Sequence, residues 1–538
     1  MAAPSPTLSS AELGHNQHHG VDNQTYGDEK VTPSPYEGED VSNPDHLAEK
    51  EPEQVLASRN SMLGKMYQRF FSMGVEARGV ERVLEDDRDP KNAINNLLMW
   101  FSVNTVLTTI PIGALGQAVF SLTLPHTIAT IFCFTALGCI TTAFIATLGP
   151  QTGCRTMVIS RFSFGYAGGV ILSIFNILTQ LGFSVTCVVL GGQTLASINN
   201  TLPLTAGIII VALCALIICF FGYDLLHIYE RYAYIVITII VIMLFALGGS
   251  SPAGYDLVAQ SANEPTGANL AANILSFGGI MFGAVSGWSP VAADFNMRLP
   301  ADTSPTYVFI LTFFGVYIPV VFVSILGACL MTIQNPDYVA AYADNGMGAL
   351  LSQTFSPWGG GGKFLMVVLS LSVIANNVPN TYSAALSIQA LGKPFQRIPR
   401  FLWTVLVFLI YTIAGVIGRE SFSAILSNLL SILSYWTAFF VVVVAEEHFL
   451  FRRPSQGGYN LDDYATPSKL PVGIAGIIAG MCGIAGAVIG MSQVYYTGPV
   501  AILIGDEFGG DLGFELAAVF AGVVYPPLRW LERRHFGR

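Results

Sequence analysis

Apolar residues come along this chain in runs of about twenty, the length at which a helix crosses the roughly 30 Å hydrocarbon core of a bilayer. Twelve such runs stand at about 94–116, 124–148, 166–197, 203–222, 232–249, 270–292, 306–332, 364–390, 401–418, 422–445, 471–492 and 512–529. The stretch before them is patterned differently. Residues 1–90 are rich in Pro, Ser, Asn and acids, lack an apolar period or a signal-peptide core, and cannot bury enough surface to fold alone. The pattern predicts an all-α polytopic membrane protein. It has a disordered tail (1–90), a core of ten helices (91–445), two peripheral helices (446–530) and a short C-terminal end (531–538).

Charge orients these spans. Lys and Arg gather on cytoplasmic connections, and with the tail inside, 23 of the 25 basic residues fall on one face, leaving Lys363 and Arg419 on the other. A missed or invented span would scramble that asymmetry from its position onward, so twelve spans with both termini cytoplasmic are expected. Composition agrees: 52% of residues are hydrophobic, 11% charged, and mean hydropathy is +0.56, against about 25% charged residues in soluble chains. The net charge of -10 lies largely in the tail and says little about a ligand. The eight cysteines show no CxxC or Cys/His spacing, and His15, His18 and His19 have no Cys or carboxylate placed to complete a site, so no metal is expected. The sequon at Asn199 falls on the outer side in a loop too short to favour glycosylation.

Two spans are interrupted. The first holds Trp100, Ser102 and Asn104 in mid-membrane with Pro111 beyond; the sixth, Ser276 to Pro290, carries Gly278, Gly279, Gly283 and Gly287. Unwound backbone within a membrane is tolerated where it lines a cavity, and paired interruptions mark the binding site of transporters built from inverted repeats. Spans one and six open two successive five-helix units, and an odd number of spans per unit inverts the second. Glycines also let helices pack closely, which is the plainer reading of the same residues.

The third span sets Asn176, Gln180 and Phe183 on one face at i, i+4, i+7; the eighth repeats the spacing with Asn376, Asn380 and Ser383 and adds Asn377. Uncharged amides are costly in hydrocarbon and face a cavity or a partner helix. Their paired donors and acceptors match the edge of a neutral heteroaromatic ring, and Phe183 and Trp288 are placed to stack on its face. Ser102 of the first span joins this candidate set. Asn176 and Asn377 suit helix-to-helix bonding equally well, and Trp288 suits packing.

The segments Thr179–Phe183, Phe221–Tyr232 with Asp224, His227, Glu230 and Arg231, Ala293–Pro300 with Asp294 and Arg298, Asn376–Asn380 and Tyr525–Arg529 together resemble the purine-cytosine permease branch, fungal type, of the nucleobase cation symporter family. The resemblance spans about Glu81 to Arg534. It implies two inverted five-helix repeats plus two peripheral helices, a plasma-membrane location, and import of adenine, guanine, hypoxanthine and cytosine. It also implies that Gln180, Asn376 and Asn380 bond the base between Phe183 and Trp288. Sodium-coupled relatives carry adjacent hydroxyl residues on the eighth span; here Val378-Pro379 precedes Asn380, so a proton is the expected coupling ion and no other cofactor is implied. Asp224, Glu230 and Asp294, near cytoplasmic ends of spans, leave its carrier open.

A carrier of allantoin, uracil or a vitamin such as pyridoxine is the alternative within the same superfamily; a non-transporting nutrient receptor is the alternative outside it. No HExxH, GxSxG or paired-carboxylate motif lies in a span, so an enzyme is not expected. The expected partners are a small nucleobase and the bilayer, not nucleic acid. Lys30, Lys50 and Lys65 offer the tail to ubiquitination and trafficking factors, while Glu76 to Lys91 abuts the broken first span and is placed to contribute to an inner gate.

Overall fold

The computed structural model describes residues 79–88, 93–199, 201–221, 223–257, 264–452, 458–505 and 509–538. The expected tail therefore lies outside the described residues up to position 78, as do Asn200 of the sequon and the side chains of Asp224, His227, Glu230 and Arg231. Every predicted apolar run is a helix. In chain order these are α1 (Ala93–Asn104), α2 (Ile110–Ala118), α3 (Leu124–Thr152), α4 (Arg161–Ala196), α5 (Leu204–Phe221), α6 (Tyr223–Gly248) and α7 (Ala268–Ser286). There follow α8 (Pro305–Leu330), α9 (Pro336–Thr354), α10 (Gly359–Ala390), α11 (Arg400–Gly418), α12 (Phe422–Glu446), α13 (Ile474–Gly490) and α14 (Gly513–Phe536).

Among the described residues six segments are long and apolar enough to cross a bilayer; one of them, 400–451, contains both α11 and α12. The pair 94–104 and 107–118 forms a further span broken by a 61° bend. Helices α5, α6 and α13 are apolar but shorter. The sixth span ends as an α-helix at Ser286 and continues as a 3-10 turn over Ser289–Val291, so both predicted interruptions are present. One helix was not expected. α9 is polar, capped by Asn335 and bent at Asn345–Gly346, and it lies outside the twelve apolar runs.

The helices sort into two groups, with corresponding members of the two five-helix units packed together. The broken first span and α3 pack with α7 and α8, whereas α4 and α5 pack with α10 and α11. Helix α12 lies against α7 and α14, and α13 packs on α14. Close crossings rest on glycine: a Cβ at Gly327 would sit 1.8 Å from Ile110 O, and one at Gly283 would sit 2.0 Å from Leu430 O. Gly165 turns the start of α4 with φ of +69°, where a side chain would also meet Val472 O.

The peripheral pair is fastened by charge. Glu447, just past α12, receives a two-pronged bond from Arg529 of α14, at 3.0 and 3.1 Å, and further bonds from Tyr525 and Arg452. Glu532 takes the amides of Gly473 and Ala475 at the start of α13, an end of a helix that favours an anion.

Candidate functional site

The break between α1 and α2 sets the site. Its last helical residue, Asn104, donates to Trp100 O at 2.9 Å and accepts the indole N–H of Trp288 at 3.1 Å, so the broken ends of the first and sixth spans hold one another. Trp288 lies parallel to Phe183 of α4, with ring centroids 6.1 Å apart and planes 11° from parallel, and edge-on to Trp100 at 5.7 Å. The aromatic pair expected from the sequence is thus brought together.

The amides converge beside it. On α10, Asn376 Nδ2 donates to Val103 O of α1 at 2.9 Å, and Asn380 Nδ2 donates to Asn376 Oδ1 at 2.9 Å. On α4, Gln180 Nε2 donates to Asn176 Oδ1 at 2.9 Å, and Asn176 Nδ2 reaches Ser387 and Ser383 of α10 at 2.8 and 3.3 Å. All four amides are buried. Two oxygens in this cluster meet no donor, Gln180 Oε1 and Asn380 Oδ1, and neither does Ser102 Oγ, buried on α1. A buried acceptor left unpaired costs about 1–3 kcal/mol, so such groups mark places where something else is bonded.

Asn377 stands apart. One residue on from Asn376, it is turned by about 100° on the helix and lies against Tyr411 of α11. Asn176 bonds helix to helix and supports Gln180. Two contributors carry little sequence signal: Asn104, which holds Trp288, and Cys187, whose thiol donates to Asn376 Oδ1 at 3.4 Å. Cys187 is seven residues after Gln180, so the period that found Phe183 also reaches it.

On the face away from Arg155 and Arg161, a cavity of about 980 Å³ descends between α2, the end of α4, α9 and the start of α12, with Gln193, Asn345, Arg419 and Ser423 in its lining. The face that carries Arg155 and Arg161 is tied together by hydrogen bonds and an ion pair. Arg155 joins Asp294 at 3.5 Å, Tyr382 of α10 at 3.4 Å and Gly79 O at 2.8 Å, and Thr156 N donates to Asp294 at 2.7 Å. Burial pushes the Asp294 carboxyl above its usual range against the pull of Arg155. Arg88 donates to Pro150 O and Leu299 O, Arg82 to Thr152 O, and Val83 N to Gly153 O. Residues 79–88 therefore belong to the folded body and not to a disordered tail ending at 90. Their arginines satisfy carbonyls left open at the end of α3, and Val83 is buried.

Residues 83–501 match the family described as permease for cytosine/purines, uracil, thiamine, allantoin. The chain is 35% identical to a purine-cytosine permease of Emericella nidulans, over 90% of this chain and 94% of that one. It is 33% identical to a purine-cytosine permease of Saccharomyces cerevisiae, over 90% and 91%, and 32% identical to a vitamin B6 transporter of the same yeast, over 87% and 89%. Its fold is similar to that of a nucleobase-cation-symport-1 family transporter solved with bromovinylhydantoin bound. That comparison gives a TM-score of 0.66 at 13% identity, covering 86% of this chain and 97% of that one. This chain belongs to the family of permeases for cytosine/purines, uracil, thiamine and allantoin, and is a membrane transporter, not an enzyme.

Proposed function

We propose that this permease imports purine bases and cytosine across the plasma membrane in symport with protons, with both termini in the cytosol. The observation that carries the reading is the pair of buried, unpartnered amide oxygens on Gln180 and Asn380, on the helices that meet the parallel rings of Phe183 and Trp288. Amide oxygens read the edge of a base and the rings cover its faces. The contacts traced through this cluster involve no charged side chain, which suits a neutral ligand. Two aromatic contacts of about 3.5 Å each need about 7 Å between the rings, so a base parts them by about 1 Å from their present 6.1 Å. The outer cavity supplies the approach, and the Arg155–Asp294 cluster with residues 79–88 forms the inner gate.

Proton coupling is favoured over sodium by the sequence of α10: Val378-Pro379 before Asn380 supplies no side-chain oxygen, where a hard cation needs several. The tail lysines remain the proposed sites of turnover control. The 32% identity to a vitamin B6 transporter supports pyridoxine as a second reading.

The test is uptake of radiolabelled adenine, cytosine, hypoxanthine, uracil, allantoin and pyridoxine in cells lacking endogenous carriers. Adenine, hypoxanthine and cytosine uptake abolished by a protonophore, and retained when choline replaces sodium, is expected. Uptake confined to pyridoxine or allantoin, or strict sodium dependence, overturns the corresponding part.

A further inference from the structure

The break in the first span leaves a main-chain carbonyl without its helical partner. In a continuous helix Val103 O accepts from the amide of residue 107, but Leu107 N donates to Ser372 Oγ at 3.0 Å. Val103 O takes Asn376 Nδ2 instead. The two ends of a side-chain amide are alike in shape, so its partners decide its orientation. A carbonyl only accepts, which fixes Asn376 with its nitrogen toward α1 and its oxygen toward Asn380. That oxygen accepts from Asn380 Nδ2 and from the Cys187 thiol. Asn380 is thereby held with its own oxygen presented to the site, where no protein donor meets it.

The second amide chain ends differently. Gln180 bonds Asn176, and Asn176 bonds the hydroxyls of Ser387 and Ser383, which donate or accept alike. Turning both amides over keeps these bonds and replaces the oxygen of Gln180 at the site with its nitrogen.

We propose that Asn376 is a positioning residue that carries the polarity of the Val103 carbonyl to Asn380, giving the site one fixed acceptor beside one reversible amide, Gln180. The ligands it takes are flat, neutral heterocycles with an N–H donor next to an acceptor. Adenine and cytosine offer an amino group beside a ring nitrogen; hypoxanthine and guanine offer a ring N–H beside a carbonyl. One site thus serves amino and oxo bases and rejects those whose donor is missing. This inference rests on the functional reading above.

The experiment is competition against radiolabelled adenine uptake by matched pairs: adenine and purine, which lacks the amino group, and hypoxanthine and 1-methylhypoxanthine, whose ring N–H is blocked. In the wild type the donor-less member of each pair competes about tenfold less well, the worth of one hydrogen bond. In Asn380→Ala the adenine-to-purine ratio falls to within about twofold. In Asn376→Leu, Asn380 is free to turn its nitrogen to the ligand, so purine competes better than it does in the wild type. Neither a lost contact nor poor folding produces that gain. Equal competition by adenine and purine in the wild type, or a wild-type ratio retained in Asn376→Leu, overturns the inference. Absence of adenine uptake by the wild type overturns the functional reading and this inference with it, whereas uptake without discrimination overturns this inference alone.

Discussion

Arg155→Ala should open the inner face. Arg155 bonds Asp294 after α7, Tyr382 on α10 and the main chain at Gly79, so one guanidinium ties together both helix groups and residues 79–88. Removing it takes from Asp294, whose side chain is 14% exposed, its bonded cation and leaves the bonds from Thr156. Stripping the partner from a fully buried ion pair costs about 3–5 kcal/mol. The contact here is long at 3.5 Å and Asp294 is partly exposed, so about half of that, roughly 1.5–3 kcal/mol, is the reasonable share. Each 1.4 kcal/mol is about tenfold in a two-state equilibrium, so the inward-open population rises roughly 10- to 100-fold. Cys154 reports it directly: the thiol is 1% exposed, and burial pushes it up to about 11. With the other seven cysteines replaced, maleimide labelling of Cys154 in inside-out vesicles should accelerate by the same factor, and apparent affinity for external substrate should fall. Unchanged labelling in a variant present at normal abundance refutes the gate assignment.

Three further outcomes follow from the packing. Gly283→Ala, whose added methyl meets Leu430 O at 2.0 Å, should abolish transport or surface delivery, whereas Gly361→Ala, with nothing within 4 Å, should leave both unchanged; surface-normalised uptake decides. Arg529→Met should destabilise the carrier by roughly 1–3 kcal/mol, less than the about 3–5 kcal/mol of a fully stripped pair, because Glu447, 1% exposed, loses its two-pronged partner but keeps Arg452 and Tyr525, and adding Glu447→Gln should recover part of it in a thermal melt of purified protein. Burial raises the Glu264 carboxyl, but bonds from Thr123 and His126 outweigh it and hold it below its usual range. A depressed carboxyl contributes stability above its unfolded value of about 4.3 and loses it as pH falls through the folded value. The melting difference between wild type and Glu264→Gln should therefore be present above about pH 5 and shrink as pH falls below about 4.3 toward the lowered folded value.

Much of the fold was legible because membrane spans are set by length and apolarity. The runs at 306–332 and 422–445 match α8 and α12 to within two residues. Helix α9 was not, since it lies outside the spans and its polar residues hide it from hydropathy; the one available signal was Asn335-Pro336-Asp337, a capping sequence that the structure uses as such. Charge counting put Arg155 and Arg161 on one face but gave no hint that residues 79–88 pack there, because their hold on the body is arginine to main-chain carbonyl, which no side-chain pattern encodes.

Helical spacing grouped Gln180 with Phe183 and Asn376 with Asn380 in the candidate site, since residues three, four and seven apart share a face. The same rule separates Asn377 from its neighbours, and the structure turns it toward Tyr411. What spacing does not reveal is direction. The bond from Asn376 to Val103 O exists because the first span breaks after Asn104, and where a broken helix leaves a free carbonyl is a property of the folded backbone.

The central claim, that Gln180 and Asn380 bond the transported base beside Phe183 and Trp288, is tested most directly by adenine uptake against concentration in Gln180→Ala and Asn380→Ala, each normalised to protein at the cell surface. An interaction of about 1–3 kcal/mol lost at each position predicts apparent affinity weaker by roughly tenfold or more in both variants at near-normal surface abundance. Near-wild-type affinity in both would contradict the account.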